Sequence, residues 1–184
     1  MILDAALAYL FQNESAEYVN DPADSGGPTK WGITQKSYIA FLGRWASPAE
    51  IETLTESDAY VFYKDRYWTP LKCDRIDDAA IAIAIFDTGV LYGVGTASIL
   101  TQKALSWCGA TLKFDGVLGD KSLAALNLVK REEFLSALHQ FVLQRIESVI
   151  KLNSKNERFR RGWKNRADRL LTLSTQAPFN REVT

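Results

Sequence analysis

Residues 14–34 read ESAEYVNDPADSGGPTKWGIT, and this stretch is a loop that cannot form one continuous helix. It follows Ile2–Phe11, where apolar residues recur at helical spacing. Five residues of the stretch disfavour a continuous helix: Pro22, Gly26, Gly27, Pro28 and Gly32. The loop also concentrates carboxylates, aromatic rings and a threonine, which are groups that a carbohydrate-cleaving site uses. We predict an ordered but irregular active-site loop on a helical body.

Most of the remaining chain repeats apolar residues every three or four positions, and no run alternates as a strand would. These patterns predict helices over residues 2–11, 59–68, 81–92, 97–107, 130–152 and 157–173. The last of them carries a basic face, which we interpret as a solvated helix surface with some salt bridges. The sequence therefore predicts a mainly α fold.

Several polar residues are placed where helices begin. Ser47 precedes Pro48, and Thr55 stands three residues before Asp58, as in a capping box. Asp77-Asp78 can complement a helix N-terminus. A turn at Asp115-Gly116 leads to a further helix, for which we predict Asp120 as the N-cap.

The composition is that of one globular domain. The 184 residues are 47% hydrophobic and 24% charged. Basic and acidic residues number 22 each, so the net charge is zero and the chain lacks the basic balance of a nucleic-acid-binding protein. No apolar run reaches the roughly 18 residues that span a bilayer, and no secretory signal is visible. We predict a monomer with one domain over residues 1–174, divided into a front lobe at 1–71 and a helical back half at 72–174, and a tail at 175–184.

Metal chemistry is not indicated. Cys73 and Cys108 form no metal-binding motif, and His139, the single histidine, is far from both in sequence. A disulfide between the two cysteines and two separately buried thiols both remain open. We assign His139 no catalytic role, and hydrolysis by carboxylates needs no metal or organic cofactor.

The chain resembles the glycoside hydrolase family 108 lysozymes, which include phage endolysins. The resemblance rests on five segments and covers nearly the whole chain: residues 13–34, 63–68, 86–87, 115–119 and 162–166. The second half resembles the peptidoglycan-binding region that accompanies that catalytic module. The resemblance implies a lysozyme-like helical fold that hydrolyses peptidoglycan glycan strands between N-acetylmuramic acid and N-acetylglucosamine. It also implies action in a periplasm or cell wall.

Glycoside hydrolysis needs a proton donor and a group that stabilises or captures the oxocarbenium-like transition state. Glu14 lies just past an apolar helix, where a carboxyl can keep its proton near neutral pH, and we predict it as the donor. Asp24 and Asp21 are candidates for the second carboxylate, although aspartates there also suit turns. Asp24 is favoured because Thr29, five residues later, can hold the attacking water. The stereochemical outcome stays open.

The chain departs from the family pattern next to the donor. The family has two glycines after the glutamate, whereas this chain reads Glu14-Ser15-Ala16-Glu17 with one more residue. Glu17 is therefore a rival acid. It also suggests a preference for the free amine of de-N-acetylated glucosamine, with a solvated surface glutamate as the simpler alternative.

Other residues are predicted to contact the sugars. Tyr18 and Trp31, and after them Tyr67, can stack on pyranose rings, while Trp68 is a weaker candidate. The resemblance adds Asp87, and Tyr92 stands near the place of a family asparagine. Two alternatives to an enzyme stay open: a binding module that has lost catalysis, and a structural or secretion-associated protein on the same fold.

Overall fold

The structure is a computed structural model that describes residues 2–12, 16–20 and 26–175. The mainly α prediction is confirmed, because helices account for most of the described chain. The α-helices are α1 (Ile2–Phe11), α2 (Gln35–Leu42), α3 (Pro48–Glu52), α4 (Glu56–Tyr63), α5 (Ala79–Tyr92), α6 (Val94–Trp107), α7 (Asp120–Leu126), α8 (Arg131–Leu152) and α9 (Arg160–Arg169). Shorter turns are a π-helical turn at Lys64–Trp68 and 3-10 turns at Cys73–Arg75, Ser154–Phe159 and Leu170–Ser174.

Helix α5 is the centre of the molecule. Its first eleven residues, 79–89, are all buried, as expected for a helix that is apolar on every side. Helices α1, α6 and α8 pack around it. The Asp78 side chain caps its N-terminus by accepting a hydrogen bond from the amide of Ile81, so the predicted aspartate cap is confirmed. One continuous cluster of buried residues runs from Leu3 to Leu173.

The loop after α1 contains a small hairpin that the sequence reading missed. Strand β1 (Thr29–Lys30) pairs antiparallel with β2 (Ile33–Thr34). Trp31 and Gly32 form its turn with φ angles of 55° and 71°, the positive values that a two-residue hairpin of type I′ requires. Strands of two residues are too short to show an alternating pattern, which explains the omission.

Two further helix starts are confirmed and one is wrong. Ser47 and Thr55 each cap their helix in a reciprocal capping box. Asp120, predicted as an N-cap, is instead the first residue of α7, and Gly119 occupies the cap. The Asp120 carboxylate pairs with Arg75 at 2.9 Å on the surface.

The two cysteines and His139, which were considered for disulfide or metal chemistry, lie at least partly inside the protein. Both cysteines are free thiols, with Cys73 buried and Cys108 half-buried. His139 is 7% exposed, and its Nε2 lies 2.8 Å from Oδ1 of Asp168. Within the described residues, no three His, Cys, Asp or Glu side chains come together in a way that could hold a metal ion.

Candidate active site

The hairpin fixes Thr29 beside the segment at 16–20. The amide of Val19 donates to the carbonyl of Thr29 at 2.9 Å, and the amide of Thr29 donates back at 2.8 Å. The half-buried Thr29 hydroxyl donates to the Gly27 carbonyl at 3.2 Å, which leaves its oxygen able to accept a hydrogen bond. This bridge places Val19, the residue after Tyr18, directly opposite Thr29.

Three predicted site residues lie outside the described part of the chain: Glu14, Asp21 and Asp24. The described residues that follow Asp24 are anchored to α2. The Pro28 carbonyl accepts from the amide of Gln35 at 2.7 Å, and the Gly26 carbonyl accepts from the amide of Lys36 at 3.1 Å. The loop is therefore fastened to the first turn of α2 after residue 25.

Trp31 is held in a strained backbone conformation by three contacts. A positive φ is uncommon for a tryptophan, so surrounding interactions must stabilise it. Its indole Nε1 donates to the Leu54 carbonyl at 3.1 Å, and its own carbonyl accepts from the Tyr63 hydroxyl at 2.8 Å. Its ring lies 5.2 Å from the ring of Phe11, at the end of α1. The half-buried indole thus joins the hairpin to α1 and α4.

Tyr67 continues this row of aromatic rings. Phe11 contacts Tyr63 at a centroid distance of 6.0 Å, and Tyr63 contacts Tyr67 at 6.0 Å. We call the four residues Phe11, Trp31, Tyr63 and Tyr67 the aromatic wall. Tyr67 sits on the π-helical turn, an irregularity that is frequent at functional sites, and its ring stays half-buried. Trp68 is 1% exposed and donates to Asp74 at 2.7 Å, so it belongs to the core.

Glu17 and Tyr18 differ in exposure. The Glu17 side chain is exposed, whereas Tyr18 is half-buried and packs against the core. Charge at position 17 therefore faces solvent next to the bridged pair of Val19 and Thr29.

The structure corrects the interpretation of Tyr92. Its hydroxyl is buried and has no hydrogen-bond partner among the described residues, so it is closed to a sugar in this conformation. Burial raises the pKa of Tyr92 to about 12. The neighbouring charges that act on this hydroxyl are those of Arg166, Arg145 and Asp87. Tyr92 is therefore part of an internal polar cluster and offers no polar group to substrate.

Asp87 is also corrected. Its side chain is 3% exposed, and that of Arg166 is 11% exposed. The guanidinium engages both carboxylate oxygens, with Nη2 at 2.9 Å from Oδ1 and Nε at 3.2 Å from each oxygen. A carboxylate enclosed in this way is unavailable to a sugar, because its desolvation is compensated by the bidentate arginine. Asp87 is a structural residue of the protein interior.

Two family models match this chain. Residues 7–93 match Glycosyl hydrolase 108, and residues 96–168 match Predicted Peptidoglycan domain. The chain carries a glycosyl hydrolase 108 domain. The family resemblance seen in the sequence is confirmed, and the chain is a glycoside hydrolase. The second match indicates that the hydrolase acts on peptidoglycan.

A solved structure agrees with this family assignment. The chain is similar to SagA of Brucella abortus, with 28% sequence identity and a TM-score of 0.78. The similarity covers 95% of this chain and 97% of that chain, so the two share the whole lysozyme-like fold. The comparison with curated proteins gives no match.

The basic face of the last helix is more than a solvated surface. Arg166, within the peptidoglycan match, reaches Asp87 of the hydrolase domain. Arg169 donates to the Tyr9 carbonyl at 3.3 Å and to Oε1 of Gln12 at 3.0 Å, and its guanidinium lies over the Tyr9 ring. Both arginines thereby hold the end of the chain against α1 and α5. Arg166 lies in the 162–166 segment that carries the family resemblance, whereas Arg169 lies outside it.

Among residues 2–12, 16–20 and 26–175, no helix combines the length and the apolar character needed to cross a membrane.

Proposed function

We propose that this glycoside hydrolase is a muramidase that cleaves peptidoglycan strands between N-acetylmuramic acid and N-acetylglucosamine. One observation carries the proposal: within the hydrolase domain, Thr29 lies on the hairpin whose turn holds Trp31 of the aromatic wall, and its backbone is paired with Val19, the residue after Tyr18. This supplies a sugar-stacking surface and a hydroxyl that can accept from water. Because the substrate lies outside the cytoplasmic membrane, we propose that the enzyme acts there. We also propose that it acts as a monomer.

The proposed mechanism assigns one role to each group. Glu14 protonates the leaving oxygen, and Asp24, with Asp21 beside it in sequence, supplies the second carboxylate. Thr29 accepts a hydrogen bond from the water that attacks the anomeric carbon. Tyr18, Trp31 and Tyr67 stack on the apolar faces of the sugar rings. No metal or organic cofactor takes part in this scheme.

The position of cleavage is tested by the new reducing ends. Sacculi are digested, the products are reduced with borohydride, and the reduced sugars are identified by mass. Muramitol as the product supports the proposal, since a muramidase leaves muramic acid at the reducing end. Glucosaminitol would mean that the other glycosidic bond is cut. Sacculi that are bound without release of any reducing end would identify a glycan-binding protein instead.

Thr29 allows a direct test of the water contact. Thr29→Val keeps the branched shape that suits β1 but removes the hydroxyl, and we expect the turnover rate to fall by about 10-fold to 100-fold. Thr29→Ser keeps a hydroxyl and should retain most of the activity. The measurement is kcat for muropeptide release, with thermal melting as a control for folding. Equal rates in the two variants would remove Thr29 from the mechanism.

Glu17 is proposed to favour de-N-acetylated peptidoglycan, because its exposed carboxylate attracts a free glucosamine ammonium. We expect Glu17→Gln to lower the ratio of kcat/KM on de-N-acetylated over native sacculi by about 5-fold, the size of a surface charge pair. Glu56→Gln, which neutralises an exposed acid on α4, is the matched control and should leave the ratio unchanged. A wild-type enzyme that digests both walls equally would refute the preference.

A further inference from the structure

A groove of about 630 Å³ lies between the end of α6 and the middle of α8. All of its lining residues fall within 96–168, the part that matches a peptidoglycan domain, and none belongs to the hydrolase match. Its volume is within the range of small-molecule sites. We call it the α6–α8 groove and define it by six of its residues: Trp107, Cys108, Glu133, Gln140, Phe141 and Gln144.

One wall of the groove is aromatic and open to solvent. Trp107, the last residue of α6, is 79% exposed. Its ring meets the ring of Phe141 edge-on, at a centroid distance of 6.5 Å and an interplanar angle of 80°. An indole this exposed gains little from the core and presents a broad face to a ligand. Pyranose rings stack on such faces through their apolar C–H surfaces.

Helix α8 also lines the groove with neutral polar groups. Gln140 and Gln144 are exposed and stand one helical turn apart on α8. Ser136 lies one turn before them and also lines the groove. Each amide offers two donors and an acceptor carbonyl, which matches the hydroxyl and acetamido groups of an N-acetylated sugar. The row runs along the helix, in the direction that an extended ligand would follow.

The charges favour an uncharged ligand over an anionic one. Among the described residues that line the groove, Glu133 is the only charged side chain, and Lys130 pairs with it at 3.1 Å. None of the described lining residues is a lysine or arginine that could receive the carboxylates of a stem peptide or the phosphates of an anionic polymer. A neutral N-acetylated sugar needs no cationic side chain to bind.

We propose that the α6–α8 groove binds N-acetylated sugars of a peptidoglycan strand at a second place, apart from the hydrolytic loop. This inference rests on the proposed function, because it takes the same polymer as ligand. Trp107 stacks on a sugar ring, and Gln140 and Gln144 bind its polar substituents. A second contact holds the enzyme on an insoluble wall between cleavage events.

Cys108 provides a local probe of the groove. Burial raises the pKa of the Cys108 thiol, with the Glu133 charge as a further cause, so alkylation by iodoacetamide is carried out at alkaline pH. Cys73 is fully buried and serves as the unreactive internal control. In the Glu14→Gln chain, we expect tetra-N-acetylchitotetraose to slow alkylation of Cys108. Half-maximal protection in Trp107→Ala should need about 5-fold more sugar, as expected for one lost stacking contact.

Trp45→Ala is the matched control, because Trp45 is 68% exposed and lies outside the groove. Trp45→Ala should leave the protection unchanged, whereas Gln140→Ala should weaken it. Absence of protection by chitotetraose, or equal protection in Trp107→Ala, would overturn the proposal. Protection by a sugar-free stem peptide in its place would identify a peptide site. Muropeptide release by wild type is measured in parallel. Protection without muropeptide release would support the groove and refute the muramidase assignment, and release without protection would do the opposite.

Discussion

Glu14→Gln is expected to slow muropeptide release from sacculi by about 10³-fold, the scale of a lost general acid. Glutamine has nearly the same shape but cannot transfer a proton to the leaving oxygen. The last residues described before Glu14 are firmly held, since the Phe11 ring packs on Trp31 and Arg169 binds the Gln12 side chain. The substitution should therefore change the chemistry and leave the fold intact, which a circular dichroism melt checks.

The leaving group distinguishes a lost acid from other defects. An aryl chitooligoside with a dinitrophenolate leaving group needs little protonation, so Glu14→Gln should lose far less activity on it than on sacculi. Glu17→Gln is the matched control, because it removes the neighbouring carboxyl in the same way. If Glu17→Gln shows the large loss and Glu14→Gln does not, the additional residue of this chain shifts the acid to position 17.

Arg166→Met is expected to lower the free energy of unfolding by about 3 to 5 kcal/mol, because it leaves Asp87 buried without its counter-charge. The measurement is urea unfolding at neutral pH, read from the midpoint with the slope held in common. Arg160→Met is the matched control on the same helix. Arg160 pairs with Glu147 and Glu157 at the surface, and its loss should cost only about 0 to 1 kcal/mol.

A double substitution separates the pair from its individual charges. Replacing both partners, as in Asp87→Leu with Arg166→Met, removes the uncompensated charge and should be less destabilising than Arg166→Met alone. Additive losses in the double variant would contradict a direct, buried interaction. Because Asp87 and Arg166 belong to different family matches, the same experiment measures how strongly the two regions depend on each other.

The helices could be predicted from sequence because burial of one face leaves a regular apolar period. Ile2–Phe11 is predicted with the bounds it has in the structure, and the Ser47 and Thr55 capping boxes are local signals that need no tertiary information. The 157–173 pattern is less regular in the structure, where 3-10 turns flank α9. Short 3-10 turns that flank a helix depend on packing and leave no apolar period in the sequence.

The candidate site was harder to predict because one residue type serves several purposes. A carboxylate for substrate and a carboxylate for a buried arginine look the same in sequence, and the partner of Asp87 stands 79 residues away. Tyr92 was likewise a plausible contact until its hydroxyl proved to be internal. Gly32 signals a turn, but the positive φ of Trp31 beside it could not be read from residue type, because tryptophan rarely adopts that conformation.

The burial of α5 bears on attempts to divide this protein. By sequence α5 falls within the hydrolase match, yet α6 and α8, which cover much of it, come from the second match. A fragment ending near residue 95 would expose a helix made almost entirely of alanine and isoleucine in its first turns. It would also leave the Asp87 carboxylate without its partner Arg166. Engineers who wish to transplant the catalytic part onto another wall-targeting module should move both regions as one piece.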